Sequence, residues 1–178
     1  MDMRFIGRLV PAVLAAALIA GPAAAQEKAK DAKAPASSKA DKGATKSQAG
    51  VEGVKAASKA FYAALAVLDD GTAMSKVWAQ KPHVTFVGPR SKAMIVGWEA
   101  QKKYWLENNK AFAERKVSIT EPQIHVNGNL AWEMGIERGN VKTQNGTALE
   151  VANFVTGVYE RIDGRWLRVS HHAQPIPK

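Results

Sequence analysis

Residues 116–174 read KVSITEPQIHVNGNLAWEMGIERGNVKTQNGTALEVANFVTGVYERIDGRWLRVSHHAQ, four strand-like segments separated by Asn127-Gly128, Asn145-Gly146 and Asp163-Gly164. Asn-Gly and Asp-Gly favour two-residue hairpin turns, because a type I′ turn needs positive φ at both central residues. The stretch therefore predicts an antiparallel meander of Lys116 to Val126, Leu130 to Thr143, Thr147 to Ile162 and Arg165 to His172. The two middle segments far exceed the usual five or six residues of a strand. Strands of that length bend, and Gly135, Gly139 and Gly157 are the expected places.

Two-residue turns also set the register, and the register sorts side chains onto faces. One face then carries the rows Leu130/Arg161/Trp166, Trp132/Tyr159/Arg168, Met134/Gly157/Ser170, Ile136/Val155/His172 and Arg138/Asn153/Gln174. It is aromatic at one end and polar at the other, and is read as the face covered by helices. The opposite face carries Glu133, Glu137 and His171 among Val158, Val169, Phe154 and Leu167. With no helix left to cover it, that face is expected to meet a second copy across a two-fold axis. A slip of one residue would exchange the faces, carry Glu133 into the interior and favour an enzyme.

Upstream, Val54, Ala57, Phe61, Ala64, Leu65 and Leu68 recur at helical spacing, and Asp69-Asp70-Gly71 ends the pattern. Thr72 caps a second short helix through Trp78. His83 to Val87 and Met94 to Val96 read as strands, and after Gly97 a third helix places Trp98, Gln101, Trp105, Asn108 and Phe112 on one stripe. Helices first and a long meander afterwards predict an α+β domain over residues 51–178, with N-terminal helices packed on a strongly curved antiparallel sheet.

Residues 1–25 have the layout of a secretory signal peptide: Arg4 and Arg8, an apolar run from Leu9 to Ala20, then Ala23-Ala24-Ala25 before Gln26. The run is shorter than the roughly 20 residues that span a bilayer. Cleavage would leave a mature chain with no transmembrane segment, secreted or periplasmic. Residues 26–50 are rich in Ala and Lys and contain no large apolar side chain, the composition of a disordered linker. The chain holds no cysteine, which excludes disulfides and thiolate metal sites. Its formal charge of +9 is spread rather than clustered, so no nucleic-acid partner is expected.

His83-Val-Thr-Phe-Val-Gly-Pro89, Gly97-Trp-Glu-Ala100, His125-Val-Asn-Gly-Asn-Leu-Ala-Trp132 and Thr156-Gly-Val-Tyr-Glu-Arg-Ile-Asp-Gly-Arg-Trp-Leu-Arg-Val-Ser-His-His172 resemble the SnoaL-like branch of the nuclear transport factor 2 superfamily. The resemblance implies a cone with a pocket between helices and sheet, often dimeric through the sheet. Its members include isomerases, epoxide hydrolases and assembly domains. The closing pattern is similar to that of the kinase II association domain, whose terminal histidine His172 matches. Gly157 and Ser170 stand where that domain has an arginine and a histidine, so its anion pocket is not implied.

The expected site follows from the face assignment. Trp132 and Tyr159 form the floor of a pocket, Arg138, Asn153, Ser170 and His172 line its polar mouth, and Gln101 and Trp105 close it from above. Apolar walls with a few convergent polar groups suit an unidentified small, partly apolar molecule. His171 and His172 point to opposite faces of a strand and cannot share one ion, no zinc-protease spacing occurs, and neither nucleotide-binding glycine motif is present. No metal, no cofactor and no catalytic set is therefore assigned. An isomerase or hydrolase using Glu133, Tyr159 or His172 is the alternative, and a homodimeric interaction module a third.

Overall fold

The computed structural model describes residues 38–177, with side chains from residue 47 onward; the expected signal peptide and the first part of the expected linker lie outside them. Helix α1 (Ser38–Val67) begins inside the stretch read as a linker. Ala and Lys are good helix formers, so residues 38–50 continue the helix without an apolar stripe of their own. Packing starts further on: Val54, Ser58, Phe61 and Tyr62 are buried at the i, i+4, i+7 spacing that faces one side. Leu68, at φ 55, turns the chain out of the helix. The Asp69 carboxylate then accepts from the amides of Gly71 and Ala73, so Asp69 rather than Thr72 caps helix α2 (Thr72–Ser75), which is shorter than expected.

Strands β1 (Thr85–Val87) and β2 (Ile95–Val96) precede helix α3 (Trp98–Asn109). The meander follows as β3 (Phe112–Asn127), β4 (Leu130–Thr143), β5 (Ala148–Ile162) and β6 (Arg165–Pro175). The six strands form one open, curved sheet in the order β2-β1-β6-β5-β4-β3, with β1 parallel to β6 and every other pair antiparallel. The helices cover its concave side. Phe61, Met74, Trp78, Phe86, Trp98, Trp105 and Val169 form the main core, and Val54, Ala131 and Tyr159 a second one.

Two one-residue shifts correct the expected faces. Asp163 and Gly164, at φ 49 and 78, make the expected two-residue turn. The Asn145-Gly146 loop differs: Thr143 pairs with Thr147 through its amide, and the Gly146 amide donates to the Thr143 carbonyl. Three residues, Gln144 to Gly146, thus close the hairpin, with Gly146 at φ 87, the common three-residue pattern ending in a left-handed glycine. Leu130 consequently faces Glu160 instead of Arg161, and Glu133 faces Gly157. The second shift is a bulge in β6. Tyr159 pairs with Arg168 but Val158 with Ser170, leaving Val169 as the extra residue. Arg168 and Val169 are both buried, after which His171 points in and His172 out.

The inner face therefore holds Ala131, Glu133 and Glu137 from β4, Asn153, Val155 and Tyr159 from β5, and Arg168, His171 and Ala173 from β6. Asn153, Val155, Tyr159 and Arg168 stay on the expected side, whereas Trp132, Ser170 and His172 do not. Of the set expected to remain uncovered, Val169 is buried, and Val158 and Leu167 pack against the core. On the outer face of β4 and β5, Leu130, Trp132, Met134 and Phe154 stand in solvent.

Gly157, expected as a bending point, lets a neighbouring side chain approach the strand closely. A Cβ there would lie 2.7 Å from Arg168 Nη1. Gly157→Ala should thus push the guanidinium out of place at a cost of about 1–3 kcal/mol, read by urea unfolding. Unchanged stability would show that Arg168 relocates freely.

Candidate functional site

The inner face builds a chain of four ionisable side chains running from the closed side of the cone to its cavity. At the closed end the Glu133 carboxylate accepts from Ser58 Oγ and Tyr159 OH, both at 2.8 Å, and pairs with Arg168 Nη2 at 3.4 Å. The Arg168 guanidinium lies 3.8 Å from the Phe61 ring centre and also donates to Tyr159 OH. Burial pushes the Tyr159 hydroxyl up to about 12, against the pull of Arg168. Every one of these side chains except Phe61 is polar, and none is exposed. Buried charges of this kind persist only when paired and hydrogen-bonded.

From Arg168 the contacts lead to the cavity. Arg168 Nη1 meets His171 Nδ1 at 2.7 Å. Arginine has only donors, so Nδ1 accepts and the neutral ring carries its hydrogen on Nε2. Burial, then the charge of Arg168, then His172 hold His171 well below its ordinary value of 6.5, in keeping with that neutral tautomer. The ring stacks on Phe86 at 5.4 Å and lies 5.2 Å from Phe61. Its Nε2 faces Glu137 Oε1 at 3.5 Å.

Glu137 is the carboxyl at the cavity wall. Tyr62 OH donates to its Oε1 at 3.2 Å and Asn153 Nδ2 to its Oε2 at 3.0 Å. Burial raises its pKa above the ordinary 4.5, opposed by the bonds from Asn153 and Tyr62 and by the charge of Arg168. A carboxylate offers about four acceptor positions, so the two protein donors leave room for a ligand to bond. The cavity has a volume of about 810 Å³ and its lining includes Phe61, Leu65, Phe86, Tyr104, Trp105 and Phe112 beside Glu137, His171 and Asn153. Among the described residues no cluster of three or more His, Asp or Glu converges as a metal site.

Of the residues expected at the site, Asn153 and Trp105 line the cavity, and Arg138, exposed, lines its mouth. Tyr159 is fully buried one layer deeper, at Glu133. Gln101 is also fully buried, away from the cavity lining, and its amide bonds no described side chain or backbone group. Trp132 stands on the outer face, stacked on His125 at 5.2 Å. Ser170 accepts from Thr85 Oγ1 at 2.8 Å, and His172 is exposed. Glu137, His171, Tyr62 and Ser58 were not among the expected site residues. The signal that could have found them is the pair of threonines bracketing the loop: the Thr147 amide donates to both Thr143 Oγ1 and Asn145 Oδ1, which closes the three-residue form.

The SnoaL-like domain profile matches residues 54–177. No curated protein matches the chain. Among solved structures, a candidate calcium/calmodulin-dependent protein kinase type II association domain from Thiobacillus denitrificans is 27% identical, with a TM-score of 0.59 over 69% of this chain and 94% of that one. A candidate dehydratase of the NTF2-like family from Streptomyces avermitilis is 22% identical, with a TM-score of 0.64 over 72% and 97%. A nuclear transport factor 2-like superfamily protein from Salmonella enterica is 21% identical, with a TM-score of 0.64 over 76% and 94%. The profile match and the cone of helices on a curved six-stranded sheet together establish that this chain belongs to the SnoaL-like domain family of the nuclear transport factor 2-like superfamily.

Proposed function

We propose that the cone binds a small, largely apolar molecule and that Glu137 moves a proton on it. The observation that carries this reading is a buried carboxyl of raised pKa set in the wall of an apolar cavity. A general base works best when its pKa lies near the working pH, and burial moves Glu137 in that direction. In the carboxylate form Glu137 takes a proton from a carbon beside a carbonyl, leaving an enolate. In the carboxylic acid form it returns that proton to the same carbon or, across a double bond, to a more distant one. Tyr62 OH and Asn153 Nδ2 hold the carboxyl in place.

The test uses the full-length protein and 4-phenyl-2-butanone in D2O, with loss of the α-hydrogens followed by proton NMR, alongside conversion of 3-cyclohexen-1-one to its conjugated isomer. Wild type should exceed the buffer rate, and Glu137→Gln should lose about 10²–10⁴-fold of the acceleration. A wild type no faster than buffer would leave binding without chemistry as the function, and a Glu137→Gln variant at full rate would show that Glu137 is not the base.

The outer sheet face supports a second part of the proposal. Leu130, Trp132, Met134 and Phe154 are 45%, 38%, 53% and 51% exposed on one side of adjacent strands. A patch of this kind suits a homodimer through the sheet. Trp132→Lys should convert the full-length protein to a monomer in light scattering at micromolar concentration; a wild type that is already monomeric excludes the dimer. The residues 1–25 pattern supports export of the chain, and the intact mass of protein from its native host checks it.

A further inference from the structure

Arg115 is a cation in the cavity wall with no anion facing it. Its side chain is only 6% exposed. Nη1 donates to the Leu65 carbonyl and to Asn109 Oδ1, both at 3.0 Å, and the guanidinium lies 4.7 Å from the Phe112 ring centre. Among the described residues it forms an ion pair with no carboxylate. Burial lowers its pKa to about 10. Leu65 lies in the last turn of α1, and the helix dipole there is worth roughly half a negative charge. The remaining positive charge is uncompensated, an expensive condition for a buried group. Arg168, the other buried arginine, has Glu133; Arg115 has only carbonyl oxygens.

The hydrogens on Arg115 Nε and Nη2 bond no described protein group, and Arg115 is one of the residues lining the cavity. Tyr104 lines the same end, where Arg115 and Arg90 both oppose the upward effect of burial on its hydroxyl. Among the described residues two carboxylates line the cavity. Glu150 is exposed, and Glu137 already accepts from Tyr62 and Asn153. Arg115 pairs with Val141 in the sheet, four positions along β4 from Glu137, which is roughly 13 Å of strand. Phe61, Leu65, Val117 and Val141 line the cavity with them.

We propose that the ligand of this cavity is a small apolar carboxylic acid whose carboxylate is received by Arg115, with its apolar body reaching toward Glu137. The proposal rests on the acid–base reading only for the Glu137 end. A planar guanidinium with two open donor groups matches a carboxylate in shape. One buried positive charge balances one negative charge, whereas a phosphate dianion would leave an excess.

The experiment is calorimetric titration of the full-length protein with octanoate, 4-phenylbutanoate and 6-phenylhexanoate, with the matching primary alcohols, and with octyl phosphate. Wild type should bind at least one acid tenfold or more tighter than its alcohol, and tighter than the phosphate. Arg115→Met should erase the preference and leave alcohol binding unchanged, while Arg115→Lys, which keeps charge but not the fork, should retain part of it. Equal binding of acid and alcohol by wild type, tighter binding of the phosphate, no binding of any acid, or a preference that survives in Arg115→Met would each overturn the assignment. Should Arg115→Met fail to fold, the wild-type comparison and Arg115→Lys decide. Glu137→Gln should keep the acid preference, so a failure of carboxylate recognition and a failure of proton transfer are read separately.

Discussion

Arg168→Met should lower the free energy of unfolding by about 3–5 kcal/mol, the usual consequence of removing one partner from a buried ion pair. Arg168 is fully buried and serves three groups at once: Glu133, Tyr159 OH and His171 Nδ1. Methionine fills a similar volume, so the loss reports charge and hydrogen bonding rather than a cavity. Glu133 would remain buried with Ser58 and Tyr159 as its donors among the described residues. Adding Glu133→Gln to Arg168→Met should recover about 0.5–3 kcal/mol, because residues in one network couple by that much. Urea unfolding of the wild type, both single variants and the double variant measures the coupling. Strict additivity would show that the two charges stabilise the fold independently, against the geometry of a shared pair.

The second large effect is a pair of opposed pH dependences on either side of one 3.5 Å contact. The pKa of folded His171 lies well below 6.5. Between that depressed value and 6.5 the unfolded chain binds a proton that the folded chain refuses, so this residue's contribution to stability falls as pH drops below 6.5. The pKa of folded Glu137 lies above 4.5. From 4.5 up to that raised value the folded chain holds a proton that the unfolded chain has released, so its contribution falls as pH rises. Each slope is at most about 1.4 kcal/mol per pH unit for one proton. The stability difference between wild type and His171→Gln should therefore climb with pH up to 6.5 and then level off. The difference between wild type and Glu137→Gln should decline from pH 4.5 upward. Urea midpoints taken between pH 4.5 and 8 supply both curves, and parallel curves for all three proteins would refute both buried pKa shifts.

The placement of Glu137 in the cavity wall follows from partners on several elements and not from β4 alone. Hydrophobicity alone argued for the opposite face of β4, since Leu130, Trp132, Met134 and Ile136 alternate with Ala131, Glu133, Gly135 and Glu137. Large apolar residues are free to stand in solvent, and the informative observation is a buried polar group. Here the carboxylates go inward because donors wait for them: Ser58 and Tyr62 on α1, Asn153 and Tyr159 on β5, and Arg168 on β6. No single element contains that set, so no reading of β4 by itself identifies it.

What the sequence by itself determined is the succession of elements: an apolar helical stripe ended at Asp69-Asp70-Gly71, the short strands around Gly88, the Gly97 helix start and a glycine-punctuated meander. These signals are local, because turn geometry, capping and periodicity act over a few residues. The face of each long strand was decided only in three dimensions. A three-residue loop at Gln144 to Gly146 and one extra residue at Val169 each moved a strand by one position. Side chains in a strand alternate with period two, so a single residue exchanges interior for surface. That exchange carried Glu133, Glu137 and His171 to the helices and put His172 and Trp132 outside, since the sum of contacts across the sheet, rather than any local preference, selects the register.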